Sequence, residues 1–376
     1  MQGVNIVRES ELVRTSRLMQ MEGLFDVPAS QKIKQEWTVN LNLPDSWNVG
    51  LIVGASGSGK TTIAKELFGN HIVNSFIWDE KKSILDSFPK EMGIKEIVDL
   101  LSSVGFSSPP SWVKPFYVLS NGEQFRVNMA RALAEMKDCA VVDEFTSVVD
   151  RTVAKIGSAA IQKTVRRKNQ KFIAVSCHYD IAEWLEPDWV YEPATDTLTV
   201  GRLLRRPEIN LVVKRVHSSA WQLFRKHHYL DTSIHSGAKC FIAFWNEIPV
   251  AFASVLHFPH PKISNMKREH RTVTLPDYQG VGIGNYLSVY IASMCKGLGC
   301  RYVSITSHPA MMRSRAKSME WKMTAKPNAK TKTLSKDFPG KGSGASDGFS
   351  GRFRATFEYV GDAMDGNNAR LLWGSD

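Results

Sequence analysis

A chain of 376 residues with 43% apolar residues can bury two or three ordinary cores, and it holds no apolar run near the about 18 residues a membrane helix needs. The net charge of +11 is uneven: residues 1–200 hold 22 Lys and Arg against 25 Asp and Glu, a net of −3, while residues 201–376 hold 26 against 12, a net of +14. A basic balance confined to one half points to an anionic ligand for that half, such as nucleic acid or a phosphorylated cofactor. The start, MQGVNIVRESELVR, is charged where a signal peptide needs an apolar core, and the five cysteines form no Cys-x-x-Cys pair; both fit a cytoplasmic, reduced protein.

Residues 1–48 mix short alternating runs, Lys32 to Leu43 among them, that read as strands, with Phe25 and Trp37 as candidates to stack on a nucleobase or to pack as ordinary core aromatics. The apolar run Val49 to Val53 then leads into Gly54-Ala55-Ser56-Gly57-Ser58-Gly59-Lys60-Thr61-Thr62, which fits the phosphate-loop pattern Gly-x-x-x-x-Gly-Lys-[Ser/Thr]. Glycines let backbone N–H groups curl round phosphates, the lysine reaches the terminal phosphates and the hydroxyl holds Mg²⁺. The helix-compatible Thr61 to Phe68 would set the phosphates at a helix N-terminus.

Asn74 to Asp79 reads as a strand and residues 80–118 as helical, ending in a segment where Pro109, Pro110 and Pro115 exclude a regular helix. Ser120-Asn121-Gly122-Glu123 begins a helix that runs on to Leu133. The apolar strand Cys139 to Val142 ends in Asp143 and Glu144, an acidic pair suited to managing Mg²⁺ and an attacking water. A further strand, Phe172 to Cys177, ends in His178.

The order of phosphate loop, LSNGEQ, Asp143-Glu144, TSVVD and His178 resembles the ABC-type ATPases. The resemblance implies ATP and Mg²⁺ held by Lys60, Thr61 or Thr62 and Asp143, with Glu144 polarising the water, His178 as the switch histidine and Asp150 as the D-loop aspartate. It also implies that Ser120, Gly122 and Glu123 contact the ATP of a second protomer, hence a two-fold homodimer. Asn121 stands where glycine is usual, and no clear Q-loop glutamine follows the second strand. A soluble switching ATPase with no membrane partner is therefore expected rather than a transporter subunit.

Residues 203–208 read as a boundary, dividing an ATPase domain (1–205) from a second domain (206–376). In the second, Ile209 to Val216 reads as a strand, Trp221 to Leu230 as helical, and Lys239 to Trp245 with Val250 to His257 as a hairpin turning at Asn246-Glu247. A strand ending at Leu275 then meets Gln279-Gly280-Val281-Gly282-Ile283-Gly284-Asn285, where three glycines expose backbone donors at the start of a helix, a pyrophosphate site. Lys326 to Ser346 is Lys- and Gly-rich and reads as a mobile loop, and Arg352 to Val360 as a closing strand.

Gln279 to Gly284 resembles motif A of the GNAT acyltransferases, in the form Gln/Arg-x-x-Gly-x-Gly/Ala. That implies acetyl-CoA or a related acyl-CoA, its pyrophosphate on these amides and its thioester arm admitted where the Leu275 strand splays from its neighbour. The set HHYL, VLHFPHP, REHRTVTLPDYQGVGIG and TSHPAMMRSRAKSMEW is further similar to the Mom-type GNAT proteins of phages, which modify adenine in DNA. Ser314 stands where the family's tyrosine acid is usual, leaving His228, Tyr229, Asp277, Tyr278 and Ser307 as candidates for acid–base work. Arg313, Arg315 and Lys317 are candidate nucleic-acid contacts.

The expectation is thus an α/β protein, an ABC-type ATPase domain followed by a GNAT-fold acyltransferase domain. Its expected activity is ATP-gated transfer from an acyl-CoA to an amine of a nucleic-acid base. Adenine in DNA is favoured over RNA or tRNA, and an ATP-switched clamp with an inert GNAT half is the remaining alternative.

Overall fold

The computed structural model describes residues 4–25, 32–73, 75–201, 208–228, 233–260, 263–326 and 354–374. In chain order the strands and helices are β1 (Val4–Glu11), α1 (Ser16–Phe25), β2 (Lys32–Val39), β3 (Val49–Val53), α2 (Lys60–Phe68), α3 (Ile94–Ser103), α4 (Pro109–Trp112), α5 (Asn121–Glu135), β4 (Cys139–Val142), α6 (Arg151–Lys168), β5 (Lys171–Ser176) and α7 (Ala182–Leu185). There follow β6 (Trp189–Glu192), β7 (Thr197–Val200), β8 (Val212–Val216), β9 (Lys239–Trp245), β10 (Ile248–His257), β11 (Met266–Thr274), α8 (Ile283–Gly297), β12 (Arg301–Thr306), α9 (Pro309–Lys317), β13 (Trp321–Ala325), β14 (Ala355–Tyr359) and α10 (Gly366–Trp373). The architecture is mixed α/β in two compact units. One takes 1–76, 132–150 and 161–207, the other 77–131, 151–160 and 208–376.

In the first unit a five-stranded sheet runs β4-β5-β3-β6-β7, parallel except for β7, with β1 and β2 forming a separate antiparallel pair. The parallel strands are short apolar runs, as strands covered on both faces must be. Ile52, Ile63, Val141, Ile173, Val175 and Trp189 pack together into one core. Gly50 is required in β3 because the Trp189 indole crosses it, 2.1 Å from where a Cβ would lie.

The second unit carries a seven-stranded sheet, β13-β14-β12-β11-β10-β9-β8. The expected hairpin is there, with Asn246 and Glu247 both at positive φ (49° and 65°), the two-residue turn whose twist suits flanking strands. β11 and β12 pair in parallel over Met266–Arg268 and Arg301–Val303, and their ladder ends there. Residues 77–131 form an arm of this same unit.

Several sequence expectations change. Residues 75–79 form no strand, and Asn74 lies outside the described residues. Trp78 instead stacks on Phe116 at 4.6 Å and donates its indole N–H to Asn128. Pro109 and Pro110 begin a short helix rather than preventing one, because the first turn needs no amide donor from them. Residues 80–118 hold the α-helices α3 and α4, with one 3-10 turn before them at Ile84–Ser87 and one after them at Phe116–Val118. The segment from Trp221 forms 3-10 turns at Ser218–Leu223 and Arg225–His227, with Tyr229 and Leu230 outside the described residues. The expected loop over 326–346 lies outside them from 327 on.

Arg315 is no surface contact. It is 2% exposed and bonds Glu269 Oε2 at 2.8 Å, with Ser288 Oγ at 2.7 Å and Ser304 alongside. Burial by itself pushes the Glu269 carboxyl up, but Arg315 and the hydroxyls of Ser304, Thr272 and Ser288 outweigh it and hold it below the usual carboxylate range. A depressed folded-state pKa gives stability that is present above the unfolded value and lost as pH falls through the folded one. Arg315→Met should destabilise the second unit by about 3–5 kcal/mol, since a buried carboxylate loses its partner, while Glu269→Met with Arg315→Met should recover most of that loss. Urea unfolding of the three variants checks this, and the single variant's deficit should shrink at acid pH.

Candidate functional site

The phosphate loop is built by β3 and the start of α2. Ser58 N donates to Ala55 O at 3.3 Å to close the turn, and Gly57 and Gly59 take φ of +82° and +90°, a conformation that disfavours side chains. A Cβ on Gly59 would also lie 2.3 Å from the Trp37 indole nitrogen, so Trp37 packs directly on the loop. α2 has no side-chain cap, which leaves its first-turn amides for an anion. Ser58 Oγ is buried with no hydrogen-bond partner among the described residues, and Lys60 Nζ reaches Ala55 O at 2.7 Å.

Thr61 Oγ1 donates to Asp143 Oδ1 at 3.2 Å, so the hydroxyl and carboxylate expected on Mg²⁺ meet. Glu144 and Thr146 sit at φ of +50° and +70°, a strain that persists because Phe145 N is bonded to Val175 O and Ser147 N to Glu144 O. Trp37, Lys60, Thr61, Asp143 and Glu144 line one cavity of about 380 Å³, whose wall reaches Cys177, next to His178. Loop amides, an ammonium, an orphan hydroxyl and a hydroxyl–carboxylate pair suit a nucleotide triphosphate with Mg²⁺. The side chain of Phe25 lies outside the described residues, and Asp150 directly precedes α6.

Ser120 and Glu123 close a capping box on α5: Ser120 N donates to Glu123 Oε2 at 3.0 Å and Glu123 N to Ser120 Oγ at 3.4 Å. Glu123 also accepts from Ser111 Oγ at 2.8 Å, so its carboxylate is engaged within its own chain. Gly122 is close-packed, where a Cβ would stand 3.3 Å from Val153 and 3.4 Å from Asp277 Oδ1.

In the second unit the parting of β11 from β12 is sharpened by a bulge. Val255 faces Glu269 and Ser254 faces Arg271, leaving His270 as the extra residue. Leu275 N stays on Val250 O at 3.0 Å, so the end of β11 remains with β10 while it leaves β12. His270 Nε2 accepts from His235 N at 3.3 Å, and Arg271 Nε donates to Ser233 O at 3.3 Å. Burial first, then Arg271 and Arg268, push the His270 imidazole down to about 4, so it is neutral near pH 7, with the bond to Nε2 placing its proton on Nδ1. Sequence reasoning missed His270, since a bulge leaves no mark in REHRT.

Beyond β11, Asp277 and Tyr278 share one 3-10 turn, with Tyr278 edge-on to Trp245 at 6.0 Å. Gly280 and Gly282 follow at φ of +98° and +99°, Val281 and Ile283 are buried as anchors, and α8 begins without a side-chain cap. A Cβ on Gly282 would meet nothing within 4 Å, so that face of the turn is open, whereas one on Gly284 would strike Thr274 Oγ1 at 2.7 Å. Uncapped amides beside an open glycine fit a pyrophosphate. Gln279 is 8% exposed and holds the turn, donating from Nε2 to Thr274 O at 2.9 Å. Asn285 Nδ2 donates to Ser314 Oγ at 2.8 Å, tying α8 to α9 at the position where a tyrosine was sought.

Of the acid–base candidates, His228 is 8% exposed and packs edge-on to Trp221 at 5.6 Å, Ser307 follows β12, and Tyr229 lies outside the described residues.

Residues 204–316 match the acetyltransferase (GNAT) family. Ribosome protection protein VmlR of Bacillus subtilis (strain 168) is 25% identical over 118 residues, which cover 26% of this chain and 21% of VmlR, so the chain spans about a fifth of that relative's length. Similar solved structures include cbiO1 from Clostridium perfringens, part of the ABC transporter complex cbiONQ, at 19% identity and TM-score 0.33, covering 39% of this chain and 74% of that one. The dimeric bacterial ABC transporter cassette MJ0796 gives 17% identity and TM-score 0.33 over 43% of this chain and 89% of its own.

Each loop should be separable by mutation. Gly282→Val, which must force a side chain into φ of +99°, should abolish acetyl-CoA binding in calorimetry while ATP binding persists; Lys60→Ala should do the reverse. Loss of both ligands from either variant would indicate misfolding instead.

Proposed function

We propose that the protein is an ATP-gated acyltransferase that moves an acyl group from a CoA thioester to an amine of a nucleic-acid base, with adenine in DNA as the first candidate. The observation that carries the reading is the pairing of the β11–β12 parting with the open glycine turn at Gly280–Gly282, inside the segment that matches the acetyltransferase family. The turn amides would hold the pyrophosphate and the parted strands would admit the thioester arm. The amine nitrogen then attacks the thioester carbonyl, the C–S bond breaks, the thiolate leaves and takes a proton, and the amine gives one up.

The net +14 of residues 201–376 supports a polyanionic acceptor, and the Mom-type resemblance supports adenine in DNA. An exocyclic amine in a duplex is buried in the stack, so the base must be flipped or single-stranded. Closure of two copies on ATP would hold the strand meanwhile. RNA is the second reading, favoured by the similarity to a ribosome protection protein.

Mass spectrometry of nucleosides from DNA, tRNA and ribosomal RNA of cells carrying the protein or Gly282→Val decides between them. An acylated deoxyadenosine seen only with the intact glycine turn is the expected result. A modified ribonucleoside selects the RNA reading, and unmodified nucleosides in all three pools would refute the proposal. In solution, Glu144→Gln should bind ATP without hydrolysing it and so accumulate dimers, read by light scattering; monomers at saturating ATP would contradict the closure.

A further inference from the structure

The arm of residues 77–131 is seated on the glycine turn by its backbone. Gly105 and Gly280, at φ of +89° and +98°, come so close that a Cβ on Gly280 would lie 2.8 Å from Gly105 Cα, and one on Gly105 2.7 Å from Gln279 O. Ser107 N donates to Gln279 Oε1 at 2.7 Å, so this one side-chain amide joins the arm to β11 through its other bond, to Thr274 O. At the edge, Arg313 of α9 pairs with Asp99 of α3, and His308 Nε2 lies 3.1 Å from Ser107 O.

α5 reaches the same turn from the loop at its start. Arg126 is 0% exposed and donates from Nη2 to Asp277 O at 3.0 Å, and Gly122 faces the Asp277 carboxylate. A buried guanidinium is strongly tied to its acceptors, because leaving them means an uncompensated charge. Movement at Ser120–Glu123 is therefore carried towards Asp277 through the Arg126 bond. The turn also packs on α6, where a Cβ on Gly280 would lie 2.8 Å from Ala160 Cβ, so the bond from Arg126 bears on a segment that the arm and α6 already seat closely.

We propose that the arm couples the two ligands: engagement of the capped start of α5, Ser120–Glu123, by nucleotide resets the glycine turn through Arg126 and Gln279 and changes acyl-CoA affinity. This rests on reading the turn as the acyl-CoA site and that helix start as a nucleotide contact. Arg126 and Ser107 are positioning residues here, acting through Asp277 and Gln279. Coupling is reciprocal, so acyl-CoA must change nucleotide affinity by the same factor.

The test uses the full chain carrying Glu144→Gln, with acetyl-CoA titrated by calorimetry without nucleotide and at saturating ATP and Mg²⁺. The two affinities should differ by about 5-fold or more, the range of ordinary allosteric coupling, with the same ratio recovered when ATP is titrated at saturating acetyl-CoA. Adding Arg126→Met should leave both ligands binding while the ratio falls towards one. Should that variant fail to fold, the Asp99–Arg313 pair serves: Asp99→Arg should lower the ratio and Asp99→Arg with Arg313→Asp should restore it. Equal affinities in the parent chain, or an unchanged ratio in Arg126→Met or in Asp99→Arg, would overturn the coupling. Absence of acetyl-CoA binding under every condition would overturn instead the acyl-CoA assignment beneath it.

Discussion

Two glycines, Gly105 and Gly280, allow two backbones to meet without side chains between them, and the organisation of the second unit follows from that approach. Backbone contact at this range leaves the buried polar groups on either side to one another, because water has no room. Ser107 N finds Gln279 Oε1, and Asp277 O finds Arg126. A larger residue at either glycine would separate the surfaces and orphan these groups, a loss greater than the volume of one methyl suggests.

The parting of β11 and β12 has a similar basis. Strands that leave a parallel ladder must satisfy their side of the fork by other means, and Glu269, one residue past the last paired Arg268, does so with Arg315, Ser288 and Ser304. The bulge at His270 lets Glu269 address α8 and α9 while His270 and Arg271 turn to the 233–235 segment. One extra residue thus supplies both the anchor of the fork and two cationic or imidazole groups facing the other way.

What could be read from the sequence was local. The phosphate loop and the glycine turn are short patterns in which each residue answers to its own backbone, and the hairpin at Asn246–Glu247 and the cap at Ser120 are of the same kind. Trp37 was legible as an aromatic near the loop but not as the residue packed on Gly59. Arg315 was misread because a basic helix face and a buried ion-pair partner look alike until Glu269, 46 residues earlier, is placed beside it. The attachment of the arm to the glycine turn joins Ser107 to Gln279, 172 residues apart, through a backbone donor that every residue but proline carries. No composition or spacing signals such a bond, and the same holds for the bulge at His270.

The helix start proposed to meet nucleotide and the glycine turn proposed to meet acyl-CoA are joined by one helix, α5, which starts at the Ser120–Glu123 cap and lays Arg126 against Asp277. Hydrogen exchange on the full chain carrying Glu144→Gln, without nucleotide and with ATP and Mg²⁺, tests that link most directly. Amides of residues 120–126 and of residues 279–286 should change their exchange together on nucleotide addition. A change confined to residues 120–126, with 279–286 exchanging identically in both states, would contradict it.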